Sequence, residues 1–130
     1  MRIHKSEIPV RIGVDGSTVR HEYDFGSVSG YETFAGEHYR ISAGADFAPL
    51  LQGLQDDLCQ CPHWGYVITG EMEVRYTNGD TETYSTGDLF YMPPGHTLTV
   101  TQDSECVMFS PQKEHRVVIE NIKEKLAAMT

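Results

Sequence analysis

The alternation of apolar and polar residues is clearest between Gly70 and Asp88. Met72, Val74 and Tyr76 fall on one face of an extended chain, and Glu71, Glu73 and Arg75 fall on the other. Asn78-Gly79 follows, a type I′ turn signal, so the segment predicts a β-hairpin. HTLTVT repeats the two-residue period, with His96, Leu98 and Val100 facing one way and Thr97, Thr99 and Thr101 the other. ECVMFS, from Glu105 to Ser110, reads as a further strand. Glycine-bearing turns at Gly13, Gly16, Gly26, Gly36, Gly44, Gly79, Gly87 and Gly95 come at short intervals, so many short strands are expected. The period then changes. Ser110-Pro111 offers an N-cap and a first-turn proline, and from Val118 the residues Ile119, Ile122, Leu126 and Met129 keep to one helical face. This amphipathic helix either covers the outside or one mouth of the sheet or contacts a second subunit. Phe47 to Leu58 is ambiguous between a loop and a short helical turn.

No internal repeat, low-complexity tract or linker divides the 130 residues, so one domain and one core are expected. The chain is 39% hydrophobic and 22% charged with no long apolar run, which excludes a helical membrane span and wholesale disorder. A net charge of −9 without a Lys/Arg cluster would repel a phosphate backbone, so nucleic acid is not an expected partner. The N-terminal MRIHKSEIPV lacks an apolar signal region, and the three cysteines are an odd number. Reduced thiols and a cytoplasmic address are therefore expected.

Candidate chemistry concentrates in CQCPH, where Cys59, Cys61 and His63 occupy every second position and would share one face of an extended chain. In an ideal strand residues i and i+4 lie about 13 Å apart, too far to share an ion. Cys59 and His63 meet only if the chain bends, and Pro62, which cannot donate to a ladder, marks a place for it.

YVITGEMEVRYTNGDTETYSTGDLFYMPPGH, from Tyr66 to His96, resembles the core of the cupin family, small β-barrels in which a YVLxGE strand leads to a hairpin and then a GDxxxxPPG segment. The order and spacing of Gly70, Glu71, Gly79, Gly87, Asp88, Pro93, Pro94 and Gly95 carry the resemblance. It implies an all-β fold: an antiparallel β-barrel of the double-stranded β-helix or jelly-roll type with a C-terminal α-helix. The barrel would cover about residues 38–110 and the helix about 111–129 of a single domain, 1–130. Cupins include dioxygenases, isomerases, decarboxylases, seed-storage proteins and sugar-binding sensors, so the resemblance leaves the reaction open.

The family's metal motif uses two histidines at i and i+2, a glutamate four residues later and a final histidine after the PPG turn. Aligned without gaps, those positions fall on Asp57, Cys59, His63 and Leu98, so the usual site does not carry over. The replacements Asp, Cys and His are themselves metal ligands, and His96 shares the Leu98 face. Cys59, His63 and His96 are the preferred ligands of a displaced site, with Cys61 as fourth candidate. Thiolate with imidazole favours a divalent transition metal, zinc ahead of iron. The competing readings are buried thiols as small hydrophobes, histidines bonded to neighbours, and a cysteine nucleophile with His63 or His96 as base.

Cys106 is expected in the core, and His4, His21, His38 and His115 at the surface or locally bonded. Trp64 and Tyr66 would wall a pocket or pack the barrel; Asp56 and Asp57 are either ligands or a solvated acidic loop. The expected function is a metal-binding domain: a metal-dependent enzyme acting on a small polar metabolite, or a non-catalytic ligand-binding or sensory module with a structural metal or none. The expected partners are a small molecule and a second copy in a homodimer.

Overall fold

The computed structural model describes residues 1–129; the last residue of the expected domain, Thr130, lies outside the described residues. The strands are β1 (Val10–Val14), β2 (Ser17–Glu22), β3 (Phe34–Ile41), β4 (His63–Tyr76), β5 (Thr81–Ser85), β6 (Leu89–Met92) and β7 (His96–Pro111), followed by helix α1 (Gln112–Ala128). They form one seven-stranded antiparallel sheet in the order β1-β2-β3-β7-β4-β5, with β6 on β4. The expected all-β barrel architecture with a terminal helix is therefore present. The sheet begins at Val10. No helix among the described residues is long and apolar enough to cross a membrane.

Two long strands organise the sheet, because HTLTVT and ECVMFS join into the single strand β7. The first half of β4 pairs with β6 and with the end of β7, the second half with β5 and with the start of β7. The β4–β7 register shifts between Val67 and Met72. Gly70 sits in that bulge with φ 109°, and a Cβ there would strike Ser104 and the Asp103 carbonyl, so only glycine fits.

The hairpin forms, with a different turn. A type I′ turn requires positive φ at both central residues. Of Asn78 and Gly79 only Gly79 has it, at 89°. Asn78 Oδ1 accepts instead from the Asp80 N–H at 2.9 Å, and the Gly79 N–H donates to the Tyr76 carbonyl at 2.9 Å. This is a type I turn followed by a left-handed glycine.

Ser110 does not cap the helix. It is the penultimate residue of β7, and Pro111 takes the cap position without a side-chain bond. The Gln112 N–H donates instead to the Thr33 carbonyl at 3.1 Å. Helix α1 buries His115, Val118, Ile119 and Ile122 on one stripe, and its Asn121 side chain donates to the Leu50 and Gln52 carbonyls at 2.9 and 3.1 Å. Of the two roles expected for the helix, the structure gives it the first: its stripe faces the barrel. The Phe47–Leu58 segment holds two short 3-10 turns, Ala48–Leu50 and Gln55–Asp57.

Candidate metal centre

The inward residues leave a cavity of about 550 Å³ between the sheet and α1. Cys59, His63, His96 and His115 all border it. Cys59 lies ahead of β4 and is bridged to His96: its N–H donates to the His96 carbonyl at 2.9 Å, and the Gly95 N–H donates to the Cys59 carbonyl at 2.8 Å. The chain bends through Gln60–Pro62 before β4 starts at His63. That bend shortens the i to i+4 separation, and Cys59 Sγ stands 3.6 Å from His63 Nε2. One ligand atom from each of Cys59, His63 and His96 lies within 4.8 Å of the others, and all three residues are buried.

Each imidazole is oriented from behind. His96 Nδ1–H donates to the Pro93 carbonyl at 2.6 Å, so its Nε2 keeps the lone pair. Among the described residues His96 Nε2 has no hydrogen-bond partner, and His96 borders the cavity. His63 Nδ1 meets Ser110 Oγ at 2.6 Å, and donation from that nitrogen leaves Nε2 free toward Cys59. Burial, reinforced by His115, His96 and His21, holds His63 well below the usual histidine range. Burial likewise lowers His96 to about 4 despite its bond to Pro93. Both are neutral near pH 7, the form that binds metal.

The donor set fits a small divalent cation. A tetrahedral ion with Zn–S near 2.3 Å and Zn–N near 2.0 Å separates sulfur and nitrogen by about 3.5 Å, close to the Cys59–His63 spacing. Three protein donors would leave such an ion a further coordination position. Without a cation, burial pushes the Cys59 thiol up to about 12 and the Cys61 thiol higher still. A cysteine nucleophile would need the opposite shift.

Cys61 does not join Cys59 and His96. Its Sγ donates to the Pro62 and Pro111 carbonyls at 3.4 and 3.7 Å, and its cluster partners are His63 and His115. Asp56 and Asp57 are exposed, with Asp57 Oδ1 accepting from the Gly53 N–H at 2.9 Å, so they form the solvated loop. Trp64 and Tyr66 neither wall the pocket nor pack the interior. The alternation of β4 turns His63, Gly65 and Val67 inward, and leaves Trp64 and Tyr66 about 40% exposed outside. Cys106 is in the core, as expected.

The histidine expectation needs correction at three positions. His4 is exposed and bonded to Ser6, whereas His21, His38 and His115 are buried and bonded to distant groups. His38 Nε2 meets Glu105 at 2.7 Å, and Lys5 Nζ reaches the same carboxylate at 2.9 Å. His115 Nδ1 donates to Glu37 Oε2 at 2.7 Å, and its ring lies 4.5 Å from that of His63. Glu37 Oε1 also accepts from Tyr39 OH at 2.7 Å, and that hydroxyl accepts from His21 Nε2–H at 2.6 Å. Burial alone would raise the Glu37 carboxyl, but His115, His21 and Tyr39 reverse this and hold it below the usual range. A hydrogen-bonded network of buried polar groups thus stands beside His63.

A family model described as a cupin domain matches residues 60–110. Solved structures with the same fold include an oxalate decarboxylase of B. subtilis, 20% identical over 82% of this chain and 28% of that one, with a TM-score of 0.56. The polyketide cyclase RemF of Streptomyces resistomycificus is 18% identical over 85% and 78% of the two chains, TM-score 0.56. Ectoine synthase of P. lautus is 18% identical over 85% and 77%, TM-score 0.58. The chain spans less than a third of the length of the oxalate decarboxylases, and no curated protein sequence matches it. Residues 60–110 thus match a cupin domain, and the single antiparallel sheet with its terminal helix has the fold of the cupin structures it resembles.

Proposed function

We propose that Cys59, His63 and His96 hold a divalent transition metal, zinc ahead of iron, with one coordination position open to the cavity. The observation that carries this reading is the convergence of one sulfur and two imidazole nitrogens within 4.8 Å, each on a buried residue. Such an ion, when bound, polarises a carbonyl or activates a water. The Pro93 carbonyl holds His96 in one tautomer, Ser110 Oγ orients the His63 ring, and α1 covers the cavity that both imidazoles border. A structure of B. subtilis oxalate decarboxylase is described by its Mn(II) centres, so a divalent ion has a precedent on this fold, while the thiolate favours zinc here.

The reading is that of a metal-dependent enzyme acting on a small molecule. A non-catalytic binding module with a closed metal shell is the second reading, favoured by Cys61 and His115 beside His63, which could supply further donors. We place the protein in the cytoplasm, where its three free thiols stay reduced. We further propose a homodimer, supported by the outer sheet face, where Trp64, Tyr66, Leu89, Tyr91 and Phe109 are exposed together.

Elemental analysis of protein purified without a metal-affinity tag, repeated on Cys59→Ser and His63→Ala, tests the reading. One zinc per chain in the parent, lost in both folded variants, is the expected result. Trace metal alike in all three contradicts it.

A further inference from the structure

The cavity wall is mostly hydrocarbon. Ile41, Met72, Val100, Met108, Ile119 and Leu126 line it from four different elements. Its buried polar groups gather around His63, whose ring lies 5.0 Å from that of His96 and 4.5 Å from that of His115. No lysine or arginine is among the described lining residues, and the only charged ones, Asp15 and Asp46, are exposed. Tyr39 also lines it, but its hydroxyl is committed to Glu37 and His21.

We infer that this cavity takes a predominantly apolar molecule with a single oxygen-bearing end group, which lies at the histidine cluster. The position of the end group rests on the metal-centre reading; the apolar character rests on the wall alone. A volume of about 550 Å³ is that of a small-molecule site. Phosphates and dicarboxylates have no cationic side chain to meet them there, and burying an unpaired charge is strongly unfavourable. A sugar would lose water at each hydroxyl and find few partners in return. An alkyl or aromatic body loses little and gains from burial, and the methionines Met72 and Met108 adapt to its shape. The small polar metabolite expected from the sequence does not suit such a wall.

The test is a fluorescence titration with N-phenyl-1-naphthylamine, an uncharged apolar probe, on the parent with and without one equivalent of zinc and on Cys59→Ser. Competitors are 1-hexanol, 1-octanol, oxalate and glucose 6-phosphate. The expected result is saturable binding in all three samples and displacement by the alcohols. 1-Octanol should be about 15-fold stronger than 1-hexanol, from roughly fourfold per methylene. Val100→Trp and the milder Ala45→Trp, both on the cavity lining, should each weaken the probe at least tenfold; if the first fails to fold, the second decides. Probe binding unchanged by a folded blocking variant places it outside the cavity and overturns the inference, as does displacement by oxalate or glucose 6-phosphate but not by 1-octanol. Absence of probe binding in a zinc-loaded parent also overturns it and leaves the metal reading intact. Probe binding without zinc uptake sustains the apolar cavity and removes the metal.

Discussion

At the scale of single residues, the proposed centre would depend on atoms that do not themselves bind the ion. Ser110 Oγ holds His63 Nδ1 at 2.6 Å, so Ser110→Ala frees the ring to rotate and should lower zinc affinity about tenfold or more. Cys61→Ser should leave that affinity unchanged under the three-ligand reading, because the Cys61 thiol is spent on the Pro62 and Pro111 carbonyls. Competition with a chromophoric chelator measures both. Elsewhere Glu105 gathers Lys5, His38 and Arg40. The hydrogen bond from Lys5, with that from His38, lowers its carboxyl to about 2. A depressed carboxyl stabilises the fold fully above its unfolded value, near 4.3 for glutamate, and loses that contribution as pH falls toward 2. Urea midpoints should therefore decline on acidification across that window, and Glu105→Gln should decline less steeply through it while starting lower at pH 7.

At the scale of elements, bends position the chemistry. The bulge at Gly70 lets β4 and β7 change register together, and Gly70→Ala adds a Cβ against Ser104 in a left-handed conformation. It should cost more than the roughly 1 kcal/mol typical of such a site, read as a lower urea midpoint with an unchanged slope. The hairpin, the helix and the Cys59, His63 and His96 candidates were legible, because alternation and helical periodicity report directly which way side chains point. His115 was equally legible in principle: it lies three and four residues before Val118 and Ile119, on the stripe the helix buries. Glu37 and Tyr39 alternate with the outer positions of β3 and share the inward side with Ala35 and Ile41. Ser110 was misread because a serine before a proline has the same local signature at a strand end as at a helix cap. Only the pairing of Ser110 with Ala35 and its bond to His63 decide between them.

At the scale of the whole molecule, the barrel separates two surfaces of opposite use. Its interior gathers sulfur and imidazole beside an apolar cavity, while its outer face leaves Leu89 85% exposed and stacks Trp64 on Tyr91 at 5.3 Å. Burying that patch against a second copy accounts for the proposed dimer, and Leu89→Asp should convert the dimer to monomer in light scattering after size exclusion. An unchanged mass would place the contact elsewhere. The account's central claim concerns the interior, and X-ray absorption fine structure of the zinc-loaded, tag-free protein tests it most directly. The predicted first shell contains one sulfur near 2.3 Å and two imidazole nitrogens near 2.0 Å, completed by a light atom from solvent. A shell of nitrogen and oxygen without sulfur, or an ion that washes away before measurement, would contradict it.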